Sequence, residues 1–264
     1  TCAAWVRLMR TPEAVRVWLA AFPDVESASA GVSAIIGAGI IPTALEMLDR
    51  LALQAVNAAF PHSGYPSDAG AVLLVESAGF EDDLNLYESQ IARLVREAGA
   101  LSWRSARSEA EREALWAGRK GALGATGRIA PNYYIQDVVV PRTKLPQALT
   151  AVEAACDARG IKVANVFHAG DGNLHPLLMY DRSDKKQVGA VIDAGNEILQ
   201  AAVDLGGTIS GEHGIGYEKR GTLTRIFTTD DLATMARVRE VFDPRGMLNP
   251  EKIFPAGVGC AEVR

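Results

Sequence analysis

The sequence predicts a mixed helix-and-sheet protein of the α+β or α/β class, with a sheet-based lobe to about residue 180 and a helical lobe after it. Through the first lobe, short apolar runs alternate with segments of helical periodicity. Beyond Asp181 the pattern changes to two helical stretches separated by a glycine-rich segment. A chain of 264 residues, 48% hydrophobic and 22% charged, is long enough to bury a core in one large domain or two small ones.

Taken in order, Val15–Phe22 (VRVWLAAF) reads as a strand and Val25–Ala38 as a helix with Ala, Val and Ile at helical spacing. Ile40–Met47 is a second strand, and Asp49 suits the N-cap of a helix running to Phe60. Ala71–Glu76 is strand-like, Glu81–Ala98 a long amphipathic helix, and Leu101–Arg104 a short strand. Ser108 caps a helix to about Leu123, Tyr133–Pro141 is a strand, and Leu145–Arg159 a helix. Val163–Tyr180 reads as strand–turn–strand, and Lys185–Leu205 and Asp230–Val241 as helices. The closing FDPRGMLNPEKIFP is turn-rich, because its prolines forbid a continuing helix. No repeat at a solenoid period is visible.

Bulk properties exclude several function classes. A net charge of −5 without a basic run argues against nucleic acid. No stretch reaches the roughly 20 apolar residues of a membrane span. Cys2, Cys156 and Cys260 lie far apart without CxxC spacing, which fits a reducing compartment and no zinc ribbon. A cytoplasmic location follows, with peripheral attachment at the inner face of a membrane as the other placement. The opening TCAAWVRLMR has neither an initiator Met nor signal-peptide anatomy, and reads as the tail of something upstream.

Two of the four histidines fall in HAGDGNLH, residues 168–175. With Asp171-Gly172 at the centre of a two-residue type I′ turn, His168 would face His175 across the hairpin. Two imidazoles so placed supply half of a cation's coordination sphere. A third donor is offered by GGTISGEHGIG, residues 206–216, where Glu212 and His213 are adjacent among glycines that let both side chains enter one pocket. Two His and one carboxylate with open positions make a catalytic rather than a structural sphere, open to Zn, Mn or Fe.

NVFHAGDGNLHPL, GGTISGEHGIGYEKR and FDPRGMLNPEKIF closely resemble the C-terminal part of the FAD-linked 2-hydroxyacid oxidases and dehydrogenases. GIIPTALEMLD, LWAGRKGAL and NYYIQDVVVPR echo the glycolate oxidase branch, and the resemblance runs from about residue 10 to the end. It implies an α+β fold: a ferredoxin-like cap sheet with packed helices over residues 11–180, and a C-terminal helical lobe, 181–264, returning to the flavin. Residues 1–10 would be the residual last strand of an absent N-terminal FAD-binding domain of the vanillyl-alcohol oxidase type. FAD and a divalent metal are the implied cofactors. The implied partners are a small 2-hydroxy acid, the FAD-binding domain, and iron–sulfur and second flavin-type subunits.

The resemblance assigns His168, His175 and Glu212 as metal ligands, His213 as catalytic base and Arg119 as the grip on the substrate carboxylate. It makes Asn249 a candidate flavin contact; Asp171 and Asn173 are candidate hydrogen-bonding supports of the ligand pair, with turn geometry an equal explanation of Asp171. The implied reaction is metal- and His-assisted hydride transfer from a 2-hydroxy acid to flavin, giving a 2-oxo acid. Relatives acting on longer diacids carry a lysine where this chain reads YYIQD, and a hydroxylated residue where it has Leu123. These losses of polar grip favour glycolate or D-lactate. Three rivals remain: a metal-dependent hydrolase, without HExxH spacing; a nicotinamide dehydrogenase, whose fingerprint fails at Gly37-Ala38-Gly39-Ile40; and a truncated or split subunit binding only metal or a partner.

Overall fold

The computed structural model describes residues 2–255. Thr1 of the expected N-terminal remnant, and residues 256–264 of the expected C-terminal lobe with Cys260, lie outside the described residues. The chain forms two compact units, one ending at Gly121 and the other beginning at Ala122.

The first unit runs β1 (Ala14–Phe22), α1 (Val25–Gly37), β2 (Ala44–Asp49), α2 (Arg50–Ala59), β3 (Ala71–Gly79), α3 (Glu81–Glu97) and β4 (Ser102–Ser105), and the chain leaves it within α4 (Glu109–Thr126). Its strands lie in the order β4-β1-β3-β2, all antiparallel. With helices after β1 and β3 this is the ferredoxin-like arrangement that the family resemblance implied, with α2 inserted. Asp24 and Asp49 each accept a hydrogen bond from an amide of the first helical turn, which starts α1 and α2 where the sequence placed them.

Both faces of this sheet are covered, so β3 is a continuous apolar run rather than an alternating one. Gly31 of α1 packs against Phe22 and Leu73, which share a face by register. The other face carries Glu46 and Glu76, and α4 meets both. Trp116 Nε1 donates to Glu76 at 2.7 Å, and Arg119 holds buried Glu46 through Nε at 2.9 Å and Nη2 at 2.6 Å. Trp116 and Arg119, three residues apart, share one side of the helix.

The second unit repeats the topology. It contains β5 (Asn132–Ile135), β6 (Val138–Val139), α5 (Leu145–Asp157), β7 (Val163–His168), β8 (Asn173–Leu174), β9 (Pro176–Tyr180), α6 (Lys185–Asp204) and α7 (Thr229–Phe242), with short 3-10 turns at Arg142–Lys144 and Arg225's segment, Arg220–Arg225. β5 and β6 act as one broken strand, β8 and β9 as another. The first lies on one edge, the second in the centre and β7 on the far side. A lone antiparallel bridge between Val139 and Thr208 stands where a fourth strand would be. The sequence showed no repeat because the duplication is one of topology, not of residue pattern.

Several expectations change. The compact units divide at 121/122, and α6 packs on β9, β6 and α5, on the sheet that precedes it. Residues 2–10 form no strand, and Trp5, Val6, Leu8 and Met9 are exposed. The second strand begins at Ala44, not Ile40, and Tyr133–Pro141 is interrupted at Gln136-Asp137. That interruption belongs to the site described next.

Cys156 is fully buried on α5, and burial pushes its thiol up to about 11. At pH 8 it therefore stays protonated. Iodoacetamide on the folded chain should leave the Cys156 peptide unmodified while exposed Cys2 alkylates, read by mass spectrometry; rapid Cys156 labelling would contradict this packing.

Candidate metal and catalytic site

Register decides which side chains of the second unit share a face. β7 pairs with the central strand so that His168 lies opposite Asn173 and Asn165 opposite Pro176. The expected two-residue turn, with His168 opposite His175, is therefore corrected. The loop is four residues long, with turn hydrogen bonds from Asp171 N to His168 O at 3.1 Å and from Gly172 N to Ala169 O at 3.4 Å. Only Gly172 in it adopts positive φ, +72°, whereas a type I′ turn needs two such residues. The shift is two residues. Side chains alternate with period two, so the pair stays on one face, now as diagonal neighbours. The rings meet edge-to-face with centroids 5.4 Å apart.

The same face continues onto the broken edge strand. Ile135 pairs with Leu177 and Val138 with Leu174 in one register, which sets Asp137 directly opposite His175. Asp137 Oδ1 and His175 Nε2 are 3.5 Å apart. Gln136 and Tyr134 point the other way, onto Gly195 of α6. The sheet thus separates α6 from the face that carries His168, Asn173, His175 and Asp137.

After α6 the chain pairs Thr208 with Val139 and passes onto this face. Gly211 lies so close to it that a Cβ there would sit 2.7 Å from both Asn173 Nδ2 and Val139 Cγ2. Here glycine is required for space. The following Glu212 projects over the histidines: its Oε1 is 3.3 Å from His175 Nε2, 3.6 Å from His168 Nε2 and 3.8 Å from His213 Nε2. His213 stacks on His175 with centroids 4.8 Å apart and planes 4° apart. Donor atoms of His168, His175 and Glu212 all lie within 4.8 Å of one another, the dimensions of one cation's ligand set.

Burial grades across the cluster. The His175 side chain is 6% exposed and that of Glu212 52%. His175 Nε2 and Asp137 Oδ1 are buried without a hydrogen-bond partner. A buried imidazole nitrogen that faces two carboxylate oxygens at 3.3 and 3.5 Å without a hydrogen bond to either is a donor set that fits a divalent metal.

Asp137 and Lys219 were not among the residues singled out by sequence. Asp137 Oδ2 accepts from Ser210 Oγ at 2.8 Å and from the amides of Gly211, Glu212 and His213 at 2.9, 3.2 and 2.9 Å. Burial alone would raise its pKa, but the adjoining His175, the His213 amide, Ser210 and the Lys219 charge outweigh that and hold the carboxyl well below the usual range. Buried Lys219 donates from Nζ to Asp137 O at 2.6 Å and Ile209 O at 2.7 Å. Burial lowers its ammonium pKa, against the opposing charges of Asp137 and Glu218. For Asp137 a signal existed: it is the one charge within the apolar run YYIQDVVVP. Nothing in GYEKR distinguishes Lys219 from its neighbours.

The other expected residues fall as follows. Asp171 is exposed in the turn, and Asn173 lies opposite His168 on the face that carries the two histidines. Asn249 has φ +48° in the closing turns, and its carbonyl accepts from Arg239 at 3.0 Å. Arg119 belongs to the first unit, where Glu46 already occupies its Nε and Nη2.

The fold is thus of the α+β class, and the second unit gathers imidazoles and a carboxylate into an open cluster that is a candidate metal site. The family model for FAD linked oxidases, C-terminal domain, matches residues 11–253, and the chain belongs to that family. It is 44% identical over 262 residues to glycolate oxidase subunit GlcD of Escherichia coli, covering 99% of this chain and 52% of that protein. The GlcD of Bacillus subtilis is 35% identical, over 95% of this chain and 53% of that protein. The chain thus spans about half the length of these relatives. The fold is shared with 4-ethylphenol oxidase from Gulosibacter chungangensis, at a TM-score of 0.72 and 16% identity over 98% of this chain and 56% of that one. P-cresol methylhydroxylase follows at 0.66 and 10%, over 92% and 53%. Among the described residues no helix is long and apolar enough to cross a membrane.

Gly211→Ala should force the loop away from Asn173 and Val139 and lower stability by about 1–3 kcal/mol, measured by urea denaturation. An unchanged midpoint would show that this contact is not tight.

Proposed function

We propose that the chain is the substrate-side half of an FAD-linked oxidoreductase that converts a small 2-hydroxy acid, glycolate or D-lactate, to its 2-oxo acid. The carrying observation is the convergence of His168, His175 and Glu212, with an unpaired buried His175 Nε2, in a member of this family. Identity to the glycolate oxidase subunits, and 28% identity to an Arabidopsis thaliana D-lactate dehydrogenase, support the substrate class.

His168, His175 and Glu212 would hold the divalent cation, Zn, Mn or Fe, with positions left open on the solvent side. Bound there, the cation supplies Lewis-acid polarisation of a hydroxyl oxygen, and the family's flavin supplies the two-electron acceptor. His213, exposed beside Glu212 and stacked on His175, takes the hydroxyl proton at Nε2. Arg119 is proposed separately as the carboxylate grip. Glu46 accepts from its Nε and Nη2 and so fixes the orientation of the guanidinium that would meet a second carboxylate. Asn249 is the proposed flavin contact, and the FAD-binding half with iron–sulfur and second flavin-type subunits are the proposed partners.

Metal analysis of the dialysed chain should find about one divalent ion, lost in the His168→Ala, His175→Ala double variant. Equal metal in the two proteins would remove the ligand assignment. In protein completed with a flavin-binding half, glycolate or D-lactate should bleach the flavin absorbance anaerobically. His213→Gln should slow that step by about 100-fold or more with its metal retained; normal reduction would remove His213 as the base.

A further inference from the structure

We propose that Asp137 is the positioning residue of the catalytic loop: its carboxylate is an internal anion around which residues 210–213 are wound, so that Glu212 and His213 are in place before any cation arrives. Lys219 fastens the two backbone segments that meet at this carboxylate. The inference rests on the proposed reading of His168, His175 and Glu212 as a cation site.

Successive backbone N–H groups converging on one point form an anion-binding nest, normally filled by a phosphate or other ligand. Here Gly211, Glu212 and His213 aim their amides at one oxygen, Asp137 Oδ2, and the Ser210 hydroxyl adds a fourth donor. Ser210 Oγ in turn accepts from the Gly214 amide at 2.9 Å, which closes the turn. The Asp137 side chain has no exposed surface, so water cannot take over its role. Without the anion the amides lose their common acceptor, and Glu212 loses the backbone conformation that sets Oε1 3.3 Å from His175 Nε2.

Lys219 Nζ binds Asp137 O on the strand and Ile209 O just before the nest, holding both sides of the junction. Its charge also offsets the buried carboxylate. Asp137 Oδ1, the oxygen not used by the nest, faces His175 Nε2 and makes the potential at that ligand atom more negative. One side chain thus shapes the loop with one oxygen and biases the site toward cations with the other.

The test uses the 264-residue chain, with Zn²⁺ alone as probe for calorimetry, Co²⁺ for visible spectra, and amide hydrogen exchange without metal. Asp137→Asn should bind Zn²⁺ about 10- to 100-fold more weakly, as outer-shell partners of metal ligands do. Its Co²⁺ spectrum should change, and the amides of Gly211, Glu212 and His213 should exchange faster while far-UV dichroism is kept. Ser210→Ala, which removes one donor and leaves the strand untouched, should cost about 3- to 10-fold in Zn²⁺ affinity and speed the same amides. It decides the matter if Asp137→Asn does not fold. Unchanged exchange at 211–213 overturns the proposal, as does faster exchange with unchanged Zn²⁺ affinity and Co²⁺ spectrum. An unaltered chain that binds neither ion overturns the metal reading instead, and the exchange rates still decide whether Asp137 shapes the loop.

Discussion

The antiparallel register of the three-stranded sheet in the second unit is the constraint on which its site depends. One register puts His168 beside Asn173, and the other puts Asp137 opposite His175. Because side chains alternate, a slip of one residue in either pairing would send an imidazole or the carboxylate to the α6 side. A slip of two, as between the turn read from Asp-Gly and the turn that forms, leaves every functional residue on its face. The hairpin therefore tolerates error in turn type far better than error in parity.

Buried charge does different work in the two units. In the first, Arg119 and Glu46 pair directly and tie α4 to the sheet. Such a pair repays its desolvation only with good geometry, and Arg119 meets one carboxylate oxygen through two nitrogens. In the second, Asp137 and Lys219 do not simply pair; Asp137 gathers the amides of residues 211–213, and Lys219 donates to the carbonyls of Asp137 and Ile209. The glycines around Glu212 permit the loop's approach, as Gly211 shows against Asn173, but permission is not direction. Direction comes from the anion.

Much of this was legible in the sequence for reasons that are local. Asp49 announces a helix because a cap acts within three residues. The spacing in HAGDGNLH brings two histidines to one face for any turn of even slip. What was not legible depends on partners far away in the chain. Asp137 meets residues 210–213 across more than seventy positions, and Arg119 meets Glu46 across seventy-three. The packing of α6 was hidden for the same reason, since a change of pattern near residue 180 records where strands stop and not what α6 packs against. The topological repeat was hidden because two units can share a strand order with unrelated side chains.

The gradient of exposure across the cluster gives the proposed site a direction. His175 and Asp137 are enclosed, His168 is half-buried, and Glu212 and His213 face outward. The enclosed groups sit at the breaks of the two broken strands, held on both sides by strand pairing, and the loop supplies the outward ones, where reach is needed. A cation held this way would be gripped from beneath by imidazole and covered from one side by Glu212. Its open positions would lie on the side where His213 stands. A hydroxyl approaching from solvent would then come to the base and the cation together, and no rearrangement of the sheet would be needed to admit it. That arrangement asks most of the loop, the least regular element of the unit, and accounts for a buried carboxylate holding three of its amides.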